Sequence, residues 1–513
     1  MHKNRQIERY YEQSETKRST FVKKYKSVFF LCFMMCSFIG FSQADTIAHL
    51  YTFGGDNNDN AEEIEATSDG GYIVVGSTSS NSSGNTDVYL LKVDSLCNYE
   101  WSFALGGANN DWGYSVKQTF DKGYIIAASS NSYGNGGYDA VLMKRDSLGG
   151  FVWQKKYGGQ DWDFAYSVVQ TFDSGYVFCG ETYNNTSGYS DVYVVKTNPL
   201  GDTLWTQTIG GTLIDKGNCV IETSDSNIVI AGLTNTVNDS TQAYVIKLNN
   251  NGILLWDSIY GGSKYEYANQ IIELNNGNYV FSGATNSNST FEDQDYYIKW
   301  LDPNGNAIWE FTITNGTSSS DNDDAFSIFQ LQNSNILISG YSQTGSSNKN
   351  AVFFELTSSG IWANASSVLG NSDNDVIKNV VIGNNGDAVG AGSTFSLGAG
   401  MEDALLVRLD TIYGGQDISI VTFTDNAPIA IREENLFKKI SVSPNPVKHR
   451  FRIITDSDLI LESINIFDIS GRNVFSQING SKFIDISYLN SGVYFVKAIF
   501  EKSESYQVKL IKY

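Results

Sequence analysis

The sequence predicts an all-β chain: a seven-bladed β-propeller closed by an N-terminal strand, then a small C-terminal Ig-like β-sandwich. Three observations predict it. Trp101, Trp153, Trp205, Trp256, Trp309 and Trp362 recur about every 52 residues. Glycine pairs lead the same period, at Gly54-Gly55, Gly106-Gly107, Gly158-Gly159, Gly210-Gly211 and Gly261-Gly262, and Lys92, Lys144, Lys196, Lys247, Lys299 and Arg408 follow it, with Glu355 out of pattern. The 513 residues hold 48 Gly and 13% aromatics but only 5 Pro, the composition of turn-dense β-structure. A fixed period of this length marks a repeat architecture.

One unit reads as four short strands. A strand near Ile64 reaches the turn Ser68-Asp69-Gly70-Gly71, then the apolar run Tyr72-Ile73-Val74-Val75-Gly76. A polar loop over 79–86 leads to Asp87-Val88-Tyr89-Leu90-Leu91-Lys92, and a tight turn at Asp94-Ser95 leads to a strand around Trp101. The second strand is apolar on consecutive residues, as expected when both faces are buried between neighbouring sheets. Three-strand sets begin near Ala61, Gly113, Ala165, Gly217, Ala268, Ala325 and Ile377, yet only six Trp-bearing fourth strands follow them. Residues 46–53 lead into Gly54-Gly55 as the Trp strands lead into theirs, so they are expected to supply the seventh and remove a free sheet edge.

The expected organisation is a signal peptide over 1–44, the propeller over 45–415, a linker over 416–437 and a second domain over 438–513. Lys23, Lys24 and Lys26 precede an apolar run of 14 residues, 28–41, that closes on Ser42-Gln43-Ala44. A basic region, a short apolar region and small residues form a secretory signal with cleavage between Ala44 and Asp45. No other apolar stretch is long enough to cross a membrane, so no transmembrane segment is expected in the mature chain. The whole chain carries a formal −21, and removing 1–44 leaves 27 basic and 53 acidic residues. That balance excludes a nucleic-acid partner, since phosphate binding needs clustered cations. Cys97, Cys179 and Cys219 remain as an odd set at unrelated places, expected to be small buried apolar groups.

Pro428, Pro444 and Pro446 mark the boundary, after which 438–513 holds 11 basic and 7 acidic residues. Short alternating strands are expected at 450–455, 463–468, 483–486, 493–498 and 506–511. Val442-Ser443-Pro444-Asn445-Pro446, Ile466-Phe467-Asp468, Gly471-Arg472, Leu489-Asn490-Ser491-Gly492-Val493-Tyr494 and Lys509-Leu510-Ile511-Lys512-Tyr513 occur in that order. This stretch resembles the type A C-terminal sorting domain of the Bacteroidota type IX secretion system, with Ser443 where that family usually has Tyr. The resemblance implies the type IX machinery as a partner and passage through the outer membrane to the cell surface or the medium. The propeller is loosely similar to secreted repeat proteins that carry such a tail.

The chain has 3 His, namely His2, His49 and His449, all outside the blades proper. A Ser-His-Asp triad or a His-rich zinc site therefore has no material there, and no catalytic residue is assigned. Carboxylates remain. Asp59, Asp111, Asp163, Asp215, Glu266, Asp323 and Asp375 recur just before each first strand. Asp87, Asp139, Asp191, Asp295 and Asp403 begin third strands, with Gln242 and Asn350 standing in. Both series are expected at one end of the ring, with strands one and three of a blade roughly 10 Å apart. The functional reading is a carboxylate face for a cation, calcium being the candidate, or for glycan hydroxyls; the structural reading is that each acid fixes a turn. Trp112 and Trp162 adjoin repeat acids irregularly and are the aromatic ligand candidates. These readings point to a non-catalytic binding or scaffold propeller for a glycan or surface protein, with no required cofactor. The alternative is a surface polysaccharide-acting, endoglucanase-like hydrolase.

Overall fold

The computed structural model describes residues 47–513 apart from 81, 135, 185–188, 236–239, 288–292, 314–321, 344–347, 370–372, 399–400, 411–419, 426–430, 433–439, 444–446, 456–460, 469–471, 479–482, 501–504 and 513. The signal segment with Ala44 and Asp45 lies outside them, as do Pro444, Asn445, Pro446 and Gly471 of the sorting motif. The described secondary structure is all β. Strand β1 (Ile47–Phe53) precedes a meander of β2 (Asp59–Ala66), β3 (Tyr72–Thr78), β4 (Asp87–Val93) and β5 (Tyr99–Leu105). The same four-stranded antiparallel meander recurs over 111–157, 163–209, 215–260, 266–313 and 322–369. A last set supplies three strands, Asp375–Ile382, Ala388–Thr394 and Asp403–Asp410, and β1 pairs antiparallel with the third of these from Ile47↔Asp410 to Phe53↔Ala404.

The second and third strands of the first three sheets are buried along their whole length, whereas outer strands such as Phe151–Tyr157 and Thr203–Ile209 show exposed positions. First strands of neighbouring sheets lie against one another, and that of the last set lies against β2. One apolar cluster joins Tyr51, Phe53, Ala61, Ile64 and Tyr72 with Val389, Ala391, Ala404 and Leu406. The core thus sits between sheets, where each buried methylene contributes roughly 0.8 kcal/mol.

Every first strand carries a β-bulge that begins two residues after its acid, between Ala61 and Glu63 in β2 and at the matching place in the other six. The opposing strand meets the bulge with a glycine in six of the seven. A Cβ on Gly76 would lie 1.9 Å from the Asn60 carbonyl oxygen, and Gly180, Gly232, Gly283, Gly340 and Gly392 are as crowded. Glycine there is the condition for so close a backbone approach. The residue after the bulge then bonds across to the next sheet. Glu63 accepts the Val116 amide, Ser115 that of Val168 and Ser167 that of Val220. Cys219 donates to the Ile271 carbonyl, Gln270 accepts the Ile328 amide, Ser327 that of Val380, and Asn379 that of Ile64 in β2.

At the end of the sheets where strand four begins, tryptophan and glycine periods interlock. Gly149, Gly201, Gly252, Gly305 and Gly360, all with φ between 75° and 81°, place their backbones on the rings of Trp101, Trp153, Trp205, Trp256 and Trp309 of the preceding sheet. The buried lysines are at this same end, where Lys92, Lys144, Lys196 and Lys247 pair with Asp69, Asp121, Asp173 and Asp225 of the turn between strands one and two. Where Glu355 replaces the lysine, Asn333 replaces the acid and donates to it at 3.4 Å, and Asn335 two residues on donates at 2.6 Å, so donor and acceptor exchange places. Cys97, Cys179 and Cys219 are buried free thiols.

The stretch 416–437, expected as linker, contains two strands. Ile420–Asp425 runs parallel to β1 along its outer edge, and Ile431–Arg432 runs parallel to β5. Beyond it lie a three-stranded and a four-stranded sheet around Val447, Phe451, Ile464, Ile466, Tyr494, Val496 and Leu510. Strands Ile440–Ser443 and Asn473–Ile478 were not anticipated from the sequence. Of the sorting motif, Arg472 is exposed, Gly492 opens a strand, Tyr494 donates to the Asn490 carbonyl oxygen at 2.9 Å, and Lys509 lies in the last strand.

Candidate ligand-binding site

The recurrent first-strand acids are buried: Asp59, Asp111, Asp163, Asp215 and Glu266 are at most 1% exposed, Asp323 and Asp375 at most 6%. Each of the first five accepts the amide of the second residue of its glycine pair, at 2.7–2.8 Å: Gly55, Gly107, Gly159, Gly211 and Gly262. Ser80, Ser132 and Asn184, just past the second strands, donate to Asp59, Asp111 and Asp163 at 2.7 Å. Asp375 takes its donors from Thr394 and Ser396, and Asp323 takes the Gln343 amide. The acid ties the end of one sheet's fourth strand to the second strand of the next, the turn-fixing geometry weighed against cation binding.

The two acid series meet between sheets, a pairing that the sequence reading did not give. The amide of six of the seven first-strand acids donates to the carbonyl of the residue just before the third-strand position of the preceding sheet. The bonds are Asp111 to Thr86, Asp163 to Tyr138, Asp215 to Ser190, Asp323 to Gln294, Asp375 to Lys349 and Asp59 to Glu402, all 2.7–2.9 Å. Asp87 therefore faces Asp111, and Asp403 faces Asp59. A Cβ on Gly106 would lie 2.2 Å from Asp87 Oδ1 and 2.5 Å from Asp111 Oδ2, and Gly54 and Gly210 are cradled the same way by Asp403 with Asp59 and Asp191 with Asp215. Burial raises the Asp163 pKa, and burial with the charges of Asp293 and Asp323 pushes Asp295 up to about 7. Asp324 also rises to about 7, because burial outweighs the hydrogen bonds from Tyr267 and Asn269. Among the described residues no cluster of three or more acid, His or Cys side chains forms a metal site.

What differs between repeats is the bulged residue and the residue before each acid. The bulges present Glu62, Tyr114, Tyr166, Asn218, Asn269, Phe326 and Lys378. Sequence reasoning missed them, although failure to repeat inside a strict repeat was the signal. Tyr114 and Tyr166 meet edge to face at 5.0 Å, Phe164 stacks on Tyr166 at 5.7 Å and on Tyr138 at 5.6 Å. Lys216 lies 4.1 Å over the Tyr166 ring, and Tyr166 donates to Glu181 at 2.6 Å. Trp162 contacts Tyr138, Phe164 and Tyr183 and remains 50% exposed. Trp112, half-buried on the neighbouring first strand, is not among its ring neighbours. At the position before the acid, three consecutive sheets carry exposed Trp162, Ile214 and Tyr265, where the others carry Asn58, Asn110, Asn322 and Asn374.

Residues 441–513 match the secretion system C-terminal sorting domain family. No curated protein sequence matches the chain. Among solved structures, the Neurospora crassa Pan2 WD40 domain is 11% identical, covering 73% of this chain and 98% of its own with a TM-score of 0.44. PorZ, a surface component of the type IX secretion system of Porphyromonas gingivalis, is 10% identical, with 87% and 73% covered and a TM-score of 0.34. A puromycin hydrolase is 11% identical, with 90% of this chain and 60% of its own covered and a TM-score of 0.44. The chain is thus an all-β repeat protein of propeller-like sheets that ends in a type IX sorting domain and is exported across the outer membrane to the cell surface or the extracellular space.

Proposed function

We propose that the protein is a closed seven-bladed β-propeller that acts outside the cell as a non-catalytic glycan-binding protein. The ring reading is supported by the inter-sheet bonds that run from Glu63 round to Asn379 and back to Ile64. One observation carries the ligand reading: the exposed arc of Trp162, Ile214 and Tyr265, on the acid end of three adjacent sheets. An exposed apolar patch in an otherwise polar series marks an interaction surface. A sugar ring presents an apolar C–H face that suits an aromatic platform, with hydroxyls at its rim for polar groups such as Asn110. Gly137 lets the Trp162 indole lie directly on the loop backbone, since a Cβ there would sit 1.9 Å from the ring. A pinned aromatic loses little freedom on binding.

The hydrolase alternative finds its best acids in Asp295 and Asp324, both pushed up to about 7 as a general acid requires. Both are at most 3% exposed, which leaves little access for a glycosidic oxygen. A glycan array read with wild-type chain and Trp162→Ala tests the binding reading. Retention of a glycan that Trp162→Ala loses supports it. Turnover of that glycan, abolished by Asp295→Asn or Asp324→Asn, would establish the hydrolase instead.

A further inference from the structure

At the end of the sheets where strand four begins, one junction breaks the repeat on both of its sides. It lies between the fifth sheet (266–313) and the sixth (322–369). The strand register puts Trp300, not Lys299, where the first four sheets carry Lys92, Lys144, Lys196 and Lys247: Trp300 lies opposite Val280 and Trp309 as Lys92 lies opposite Ile73 and Trp101. Glu355 and Arg408 hold the place in the last two sets, so Trp300 is its one uncharged occupant. Strand alternation puts Lys299 on the other face, where it pairs with Glu310 at 2.5 Å and lies over Tyr260 of the preceding sheet. Asn276 stands where the turn acid answers the lysine elsewhere, and accepts the Asn278 amide as Asp69 accepts that of Gly71. In the sixth sheet Ile336 opens the second strand, where Tyr124, Tyr176 and Tyr279 pack on Trp101, Trp153 and Trp256 at 5.9–6.4 Å.

A cavity of about 350 Å³ lies at this junction. Its buried lining includes Leu274, Trp300 and Ile336, its exposed lining Asn275, Asn276, Ser334 and Ser358, and no lining residue carries a charge. The sheets are tied here as they are elsewhere. The Asn275 amide donates across the junction to Gln330 at 2.9 Å, the bond that Ser68 makes to Gln118 and Phe120 to Gln170. A second observation points to an occupant. Trp300 stacks on Trp309 with ring centroids 3.6 Å apart and is 3% exposed, yet its Nε1–H has no acceptor among the described residues. A buried indole N–H ordinarily finds one. The four lysines at the same place find theirs in the turn acid. The leftover donor thus belongs to a side chain that lines the cavity.

We propose that this cavity is a binding site for one neutral sugar ring, held between the fifth and sixth sheets. Its volume falls at the lower end of the range for small-ligand pockets, roughly 300–1,000 Å³. An anion would find no lysine or arginine in the lining, and a cation no carboxylate. What the lining suits is an uncharged ligand with an apolar side and groups that both donate and accept. A pyranose has both: a C–H face for Leu274, Ile336 and the paired indoles, and hydroxyls for the amides and serines of the exposed lining. One of its oxygens would accept the Trp300 N–H. The site does not rest on the arc of Trp162, Ile214 and Tyr265, which lies at the acid end of the sheets.

The test is titration of the exported chain, followed by calorimetry for affinity and by the indole N–H signals of nitrogen-labelled protein for location. The Trp300 signal is assigned by its loss in Trp300→Phe. The probes are N-acetylglucosamine and the methyl glycosides of glucose, galactose and mannose. At least one is expected to move the Trp300 signal saturably, with a Kd of roughly 1 mM for so small a ligand. Ile336→Tyr restores the residue that three other junctions carry, and should fill the cavity, stay folded and weaken binding about tenfold or more. Trp300→Lys combined with Asn276→Asp rebuilds the ion pair of the other sheets and should weaken it likewise. No shift of Trp300 by any of the four sugars would overturn the proposal. Undiminished affinity in both variants would also overturn it, by placing the sugar elsewhere. A Trp300 signal moved by N-acetylglycine amide and by no sugar would overturn it in favour of a peptide.

Discussion

The side-chain oxygen of Asn379 accepts the main-chain N–H of Ile64 at 3.3 Å, joining residues 315 positions apart. Its neighbours in the same role bond to the sheet that follows them in sequence, so this bond and the β1 ladder do at the ends of the repeat what local bonds do elsewhere. Phe53 is fully buried in the apolar cluster shared by the first and last sets of strands. Phe53→Ala should cost about 3–5 kcal/mol in denaturant unfolding, the range for deleting a buried aromatic ring. Phe120→Ala, whose ring is 65% exposed, should stay within about 0.5 kcal/mol. Equal effects would mean that this cluster adds nothing to stability.

Two glycines with nearly the same φ separate backbone strain from packing. Gly149 (φ 80°) and Gly277 (φ 82°) both sit in the left-handed region. A Cβ on Gly277 meets nothing within 4 Å, whereas one on Gly149 would lie 2.4 Å from Phe103 and 2.9 Å from Trp101. Gly277→Ala should cost about 1–2 kcal/mol for the backbone alone. Gly149→Ala should add about 1–3 kcal/mol of overpacking. Chemical denaturation of the two variants reads the difference.

Acid sensitivity should appear at the lysine end. Burial tends to raise the Asp225 pKa, but hydrogen bonds from Thr223, Lys247 and Asn227 bring it down to about 2. A carboxylate depressed in the fold stabilises it above the unfolded pKa, near 3.8, and loses that contribution as pH falls toward 2. Its side chain is 53% exposed, so solvent screening keeps the effect near about 0.5–1 kcal/mol. Asp225→Asn should therefore melt below wild type at pH 7 and converge with it by pH 2. A gap that widens on acidification would contradict the assignment.

Removal of 438–513 should strand the repeat domain in the periplasm. Strands Ile420–Asp425 and Ile431–Arg432, which edge β1 and β5, precede the cut and stay with the repeats. Fractionation of cells carrying the truncated chain should find it in periplasmic extracts with a cooperative melt. Undiminished surface or medium levels would show that the tail does not direct export.

The repeat was legible because its landmarks answer to a single cause each. Trp101 needs the bare backbone of Gly149, and Lys144 needs Asp121, so each pair recurs together. The junctions were less legible. Asp87 and Asp111 stand 24 positions apart and belong to different sheets, and periodicity gives the end at which an acid lies but not the sheet it faces. The bulges were invisible because the extra residue, Tyr166 for one, leaves the spacing of the repeat unchanged. Ile420–Asp425 was read as linker because it is a short edge strand paired with β1 alone and Pro428 follows it.

Each first strand thus keeps two kinds of position apart. The acid at its start and the residue after the bulge bond sheet to sheet in every repeat, while the bulged residue between them stands outside the ladder and meets the next sheet differently each time: Asn218 and Asn269 donate to the Ala268 and Ala325 carbonyls, and Lys378 pairs with Glu62. Positions 62, 114, 166, 218, 269, 326 and 378 thus carry seven side chains on one repeated backbone feature. A chain that duplicates one sheet six times over thereby acquires seven variable letters on a common frame, each read against its neighbour, as Tyr114 against Tyr166 and Lys378 against Glu62.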